Sequence, residues 1–413
     1  MEILYECCAA IDVHKDTAVT TIRFPEGKAG AKSQRRSETR TFSTKTPGLL
    51  ELFDWLSVCG ATHVAMESTG IYWRPVHNIL EGSFEILLVN AHHVKAVPGR
   101  KTDVKDSEWL AELLEHGLLR GSFIPPQPIR DLRDLTRYRK RLVQDRTHHI
   151  NRLMKTLEMA NIKLSSVATD ILGKSGRRMI ESLIAGQQDG EVLADMALGV
   201  LKKKRADLKA ALTGRVRPHH AFLLREQLRT IDDLQQRIAA FDKQIEECMA
   251  PFHDAVARLV TIPGVAQRTA ENILAEIGTN MAQFPTPEKL CSWAAICPGN
   301  NESGGKRKTG RTRKGNAWLK TTLVEAAWSA ARTKGSYLHT LYVRLKLRRG
   351  AKKAIVAVAH SMLQSIWYML SMNVDYKDLG PQHFDRLNHR RVRDHHVHRL
   401  IELGYEVTLA EVA

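Results

Sequence analysis

The chain has 413 residues, 43% hydrophobic and 26% charged, with a net charge of +17. That length accommodates two or three domains with real cores, and that composition excludes a disordered or fibrous chain. So positive a charge on a globular chain favours a polyanionic partner, nucleic acid above all, over the alternative of a merely basic protein.

The N-terminus, MEILYECCAAIDVHKD, has an acid at position 2 and no basic leader, so no signal peptide is expected. Residues 1–120 alternate strand and helix signals. ILYECCAAIDV, TAVTTIRF and SETRTFST read as three strands, and PGLLELFDWLSVCG as a helix. HVAMES then reads as a strand, IYWRPVHNILEG as a helix and FEILLVN as a fifth strand. Three strands in a meander followed by alternating helix and strand is the order of an α/β ribonuclease-H-like sheet. Next comes GRKTDVKDSEWLAELL, read as a helix from Thr102. Asp103, Asp106, Leu110, Leu113 and Gly117 fall at helical spacing on one face. Carboxylates sharing an apolar stripe cost free energy unless something pairs with them. Two readings stand: first-turn acids that suit the helix dipole, with Thr102 or Asp103 as N-cap, or a pair directed at a metal ion beside the core.

FIPPQPIRDL marks a boundary, because three prolines cannot continue a helix. A long helix follows, with an apolar stripe of Leu132, Leu135, Leu142, Ile150, Leu153 and Leu157. It is rich in arginine and lysine, and Arg133, Arg137, Lys140 and Arg141 are candidate phosphate ligands; the alternative is an ordinary solvated face. Around 221–250, Leu224, Leu228, Ile231, Leu234, Ile238, Phe241, Ile245 and Met249 keep near-heptad spacing, which predicts a coiled-coil segment. The two helical stretches could pair with each other or across subunits. VTIPGVAQRTAENILAEIGT resembles a helix–hairpin–helix unit, whose turn would offer backbone amides to a phosphate; an ordinary helical turn is the alternative. Then comes CPGNNESGGKRKTGRTRKGNAWLK, where Lys306, Arg307, Lys308, Arg311, Arg313, Lys314 and Lys320 face a single acid, Glu302. RLKLRRGAKK adds another basic run. The apolar run AIVAVAHSMLQSIWYMLSM is broken by His360, Ser361, Gln364 and Ser365 and reads as a buried helix. The tail after Asn373 is polar and rich in His and Arg. The expected divisions are 1–125, 126–250, 251–380 and a C-terminal extension, 381–413. None of the six cysteines forms a C-x-x-C pair and the histidine pairs lack partner ligands at metal spacing, so neither a zinc site nor a disulfide framework is expected. A reducing cytoplasm fits.

Asp12 ends the first strand and Glu67 the fourth. These strands are neighbours in a ribonuclease-H-like sheet, so the carboxylates would meet at one end, within reach of a helix carrying Asp103 and Asp106. Four converging acids repel one another unless a divalent cation neutralises them, and Mg²⁺ prefers oxygen ligands. Asp16, in the following turn, is a weaker candidate.

Taken together, IDVHKD, MESTG-x-YW, GRKTDVKDSEWLAELL and PGNNESGGKRK closely resemble the DEDD transposases of bacterial insertion sequences, the bridge-RNA-guided recombinases. The resemblance spans nearly the whole chain. It implies a RuvC-like catalytic domain, a helical coiled-coil middle and a mainly α C-terminal transposase domain. It places the family's Mg²⁺-binding acidic tetrad on Asp12, Glu67, Asp103 and Asp106, and the serine that links transiently to DNA on Ser303. It further implies a structured guide RNA that selects donor and target double-stranded DNA by base pairing, and dimers assembling into tetramers with shared active sites. Two alternatives remain open: a metal-dependent junction nuclease using water, and a non-catalytic nucleic-acid-binding protein.

Overall fold

A computed structural model describes residues 2–26, 34–68, 70–90, 106–299, 301–313, 315–387 and 389–410. The chain divides at the proline run into two units, residues 1–124 and 125–413.

The first unit is built on a five-stranded sheet of β1 (Cys8–Val13), β2 (Thr17–Glu26), β3 (Gln34–Ser43), β4 (His63–Glu67) and β5 (Glu85–Val89). Its order is β3-β2-β1-β4-β5, with β1–β2–β3 antiparallel and β4 and β5 parallel to β1. This is compatible with the ribonuclease-H-like arrangement expected from the segment order. Helices α1 (Thr46–Val58), α2 (Trp73–Leu80) and α3 (Asp106–Glu115) complete the unit. The two-residue alternation of β1 sorts its side chains between the sheet's faces. Ala9, Ile11 and Val13 join the core cluster that holds Leu52 and Leu56 of α1 and Val76 and Leu80 of α2. Cys8 and Ala10 join Ala65 of β4 and Leu110, Ala111 and Leu114 of α3. The backbone amides of Leu4 and Tyr5 both donate to the carbonyl of Glu115, at 2.9 and 3.2 Å. The C-terminal end of α3 therefore sits at the start of β1, and α3 runs antiparallel to that strand.

The second unit is helical. It begins with α4 (Gln127–Met159), continues through α5 (Leu164–Val167), α6 (Lys174–Ile184), α7 (Gly190–Asp195) and α8 (Arg205–Leu212), and returns along α9 (Pro218–Met249). Helices α4 and α9 form an antiparallel hairpin. Leu153 and Leu157 share a core with Leu224 and Leu228, and Leu142 packs with Leu234 and Ile238. Farther along, Tyr138 stacks on Phe241 with ring centroids 4.9 Å apart, and Arg139 pairs with Asp242 at 2.6 Å. The leucine stripes that the sequence left free to pair within or between chains are thus buried against each other within one chain. Arg177 of α6 forks onto both oxygens of Asp232 in α9, at 2.7 Å each, and this guanidinium holds the Asp232 carboxyl below its usual value.

The remainder comprises α10 (His253–Val260), α11 (Gln267–Ile277), α12 (Pro287–Trp293), the hairpin β6 (Asn301–Ser303) and β7 (Lys306–Thr309), α13 (Ala317–Ala330), α14 (Tyr337–Arg349), α15 (Ala351–Met372), α16 (His383–Leu387) and α17 (His389–Glu402). Helix α15 is long and apolar enough to cross a membrane. Here it is a core helix: Ile355, Val358, Met362, Leu363 and Ile366 are buried, and it packs on α12, α13 and α14. In the turn between α10 and α11, Gly264 has φ +86°, and a Cβ there would stand 2.5 Å from the Ala330 nitrogen and 2.6 Å from the Ala326 oxygen. The IPGV glycine is therefore required for close packing on α13, and this turn is closed by protein. All six cysteines are free thiols, and burial, the leading cause in each, pushes Cys8 and Cys291 up to about 12.

Candidate functional site

In β1 the side chain of Asp12 alternates with Ala10 and Cys8, so it lies on the face covered by α3. Strands β1 and β4 are parallel with Ile11 opposite Met66, and the next residue on each is an acid, Asp12 and Glu67. Glu67 alternates with Ala65, which also faces α3. Helix α3 then brings a third acid to the same end. Its Ser107 hydroxyl lies 2.9 Å from the Thr21 hydroxyl, and Thr21 sits opposite Ala10, two residues before Asp12. Asp106, the first residue of α3, is therefore at the carboxyl end of β1 and β4, and it is exposed. Asp103 falls outside the described residues. Sequence reasoning missed His14, whose Nε2 lies 3.1 Å from Asp12 Oδ2; its place two residues on, just past the strand end, was the available signal.

The opposite end of α3 shows what a structural acid looks like in this unit. Glu115 is buried and takes ion pairs from Arg23, at 2.9 Å, and from Arg35. Asp106 makes no such pair among the described residues. Among those residues no three His, Cys, Asp or Glu side chains form a metal-binding group. The carboxylates at the carboxyl end of the sheet, Asp12, Glu67 and Asp106, are nonetheless oxygen donors partly open to solvent, which a hard divalent cation prefers, with the His14 imidazole beside Asp12.

The second sequence-chosen site lies in the other unit. Strands β6 and β7 pair antiparallel, with Ser303 opposite Lys306 and Glu302 opposite Arg307. The two residues between them, Gly304 and Gly305, both have positive φ, +57° and +72°. That is the requirement of a two-residue type I′ hairpin turn, so turn geometry alone accounts for the glycine pair. Gly304, Gly305 and Lys306 are exposed at the tip, and Ser303 is the last strand residue before it. Farther down, the Gly299 amide donates to the Arg311 carbonyl at 2.9 Å, and Arg313 donates to the Ser292 hydroxyl at 2.8 Å. The side chains of Ser303, Arg307 and Lys308, and all of Lys314, lie outside the described residues.

The basic residues of α4 divide by what they touch. Arg137 grips Glu276 with both carboxylate oxygens engaged, at 2.7 and 2.8 Å. Arg133 donates to the Glu276 carbonyl at 2.6 Å and to the Ala275 carbonyl at 3.3 Å. Glu276 is 3% exposed and also accepts from Asn316 Nδ2 at 2.6 Å. Asn316 in turn caps α13, its Oδ1 accepting from the amides of Trp318 and Leu319. Lys140 lies 3.5 Å from Glu325 and within 3.4 Å of the Thr322 hydroxyl. Arg141 is exposed, its guanidinium 5.6 Å from the centre of the Trp318 ring.

Comparison with known proteins places these features in recognised regions. Residues 9–162 match a family model of DEDD type, labelled IS110 and described as Transposase, and residues 256–343 match one described as Transposase IS116/IS110/IS902 family. The first span contains all four candidate acids and the second contains Ser303 with its basic hairpin. The chain is 26% identical over 298 residues to the transposase for insertion sequence element IS1111A of Coxiella burnetii, covering 70% of this chain and 72% of that one. It is 24% identical over 335 residues to the putative transposase y4rJ of Sinorhizobium fredii, covering 75% and 78%.

Proposed function

This chain belongs to the IS110 family of insertion-sequence transposases, and we propose that it cuts and rejoins DNA strands through a serine–DNA intermediate, chosen in sequence by a guide RNA. What supports the catalytic half of this reading is that Asp12 and Glu67 follow paired residues of two adjacent parallel strands, on the face covered by the helix that Asp106 opens. With Asp103 they would hold Mg²⁺, which when bound lowers the cost of charge building on the phosphate and on the attacking and departing oxygens. The serine step balances as an exchange. The Ser303 oxygen forms a phosphoester bond to one DNA end, the hydroxyl proton is lost, and the other end leaves as a free hydroxyl. A new DNA hydroxyl then displaces Ser303 and recovers the phosphodiester without outside energy. Lys306, Arg307, Lys308, Arg311, Arg313 and Lys314 would hold the phosphates around that exchange, and Arg141 extends the basic surface on α4. Arg133, Arg137 and Lys140 are engaged with Glu276, Glu325 and Thr322, and their part is to hold α4 against α11 and α13. The net charge of +17 supports a large polyanionic partner, for which the guide RNA is the reading favoured by the family resemblance. The working form would be a dimer or tetramer.

The acid cluster by itself also suits a nuclease that activates water, so a second reading is kept. One experiment separates them. DNA carrying the element's ends is incubated with the protein, its copurifying RNA and Mg²⁺, and then denatured. The serine reading expects DNA covalently attached to the wild type, none with Ser303→Ala, and no recombination by Asp106→Ala or in EDTA. Near wild-type strand exchange by Ser303→Ala gives the case to water; full activity of Asp106→Ala removes the metal role of the acids.

A further inference from the structure

The phosphate-binding turn that the sequence suggests at IPGV is closed by α13, but another helix–glycine–helix turn is open. Helices α14 and α15 meet at a single residue, Gly350, which ends one and begins the other at φ +79°. A Cβ on Gly350 would meet nothing within 4 Å. Arg348 and Arg349 precede it, Lys352 and Lys353 follow it, and all four side chains are exposed. None of the four makes an ion pair or side-chain hydrogen bond among the described residues. No acid offsets them locally, because the sequence contains no Asp or Glu between Glu325 and Asp375. The cations nearer the body of α14 are already engaged: Arg344 lies over the Phe384 ring and 3.7 Å from Asp385, and Lys346 lies over the Tyr342 ring. Within α14 and α15, the cations with neither an ion pair nor a ring contact are thus the four at the turn.

We infer that the α14–α15 turn, through Arg348, Arg349, Lys352 and Lys353, is a docking site for the phosphate backbone of double-stranded DNA. This rests on the reading of the chain as an enzyme that acts on DNA, but not on the regions that match the family, since residue 344 onward lies beyond both matched spans. Duplex is favoured over single strands because the segment from Val343 to Lys353 holds no aromatic side chain on which an unpaired base could stack. Backbone contacts of this kind fix position without reading sequence. Each phosphate neutralised releases counterions, which steepens the salt dependence of binding by about 0.9 in a plot of log K against log salt concentration.

The test uses the full chain and a fluorescent random-sequence duplex of DNA, with a matching duplex of RNA as a second arm. Affinity is measured across salt for the wild type, for R348Q/R349Q/K352Q/K353Q, and for K174Q/K202Q/K203Q/K243Q, which removes the same charge from exposed lysines elsewhere. The inference expects the turn variant to lose roughly 3 to 4 from the DNA salt slope and its affinity to fall more than tenfold at about 0.1 M salt, while the control keeps the wild-type slope. Equal slopes for wild type and turn variant overturn it, as does an equal loss in the control, or a loss confined to the RNA arm. A wild type that binds neither duplex is a different result, since it removes the nucleic-acid reading of the whole chain. Circular dichroism melting of all three proteins keeps a folding defect from passing as lost binding.

Discussion

Glu276 is the residue whose role sequence hides most completely. Its partners Arg133 and Arg137 lie about 140 residues away, and the bidentate pair is visible only once α4 and α11 are side by side. Read along the chain, those two arginines belong to a basic run and look like phosphate ligands. Asp12 and Glu67 were legible for the opposite reason. Each ends a strand, and strand ends are set by local pattern, so a guess at the sheet order was enough to bring them together. The two glycines after Ser303 have a positive φ that the two-residue turn itself requires, so they carry no separate signal of function. Removing one partner of a buried ion pair costs about 3–5 kcal/mol, because the other charge stays behind. Arg137 keeps 28% exposure, so the low end applies, and Glu276→Ala should destabilise the second unit by about 3 kcal/mol. Glu276→Gln, which can still accept from Asn316, should cost less. Urea unfolding of both variants checks this; equal stability of Glu276→Ala and wild type would show the network to be idle.

At the scale of elements, periodicity revealed the helices but not how they pair. The near-heptad stripe of α9 is matched by α4 of the same chain, and the buried positions Leu142, Leu234 and Ile238 meet midway along the hairpin. The need to bury such a stripe leaves pairing across subunits open in the sequence, and the fold meets that need internally. Truncating a well-packed Ile typically costs 2–5 kcal/mol, and this small midway cluster can partly collapse, so Ile238→Ala should cost about 2–3 kcal/mol. Because the partner helix is intramolecular, the unfolding midpoint of α4 and α9 should not change with protein concentration. A midpoint that rises steeply with concentration would instead mean that these helices pair between chains in solution. The short elements show the limit of pattern reading. The start of α3 expected at Thr102 lies outside the described residues, and at IPGV the sequence leaves a phosphate turn and an ordinary turn both open because the approach of Ala326 and Ala330 leaves no trace in local sequence.

At the scale of the whole molecule the dominant quantity is charge. A chain of net charge +17 repels itself, and the buried pairs at Glu115 and Glu276 neutralise only a few of its arginines. Other cations pair with acids at the surface, such as Arg177 with Asp232 and Arg205 with Asp195, but Lys and Arg outnumber Asp and Glu by 62 to 45, and on the α14–α15 turn four exposed cations have no acid between Glu325 and Asp375 in sequence. Duplex DNA alone would satisfy that charge, so charge by itself does not demand RNA. The two partners differ in what they supply. DNA is the substrate of a transposase, whereas a guide would supply the choice of sequence, and basic side chains on phosphates cannot make that choice. If an RNA makes it, protein freed of RNA should still bind DNA, with steep salt dependence, but without preference for the element's ends. The expectation is therefore specific. After RNase treatment and repurification at high salt, recombination should fall to background while binding to random duplex persists, and adding back the copurified RNA should restore recombination. Continued recombination of the correct sites by RNA-free protein would mean that this chain reads DNA itself and that the guide reading is wrong.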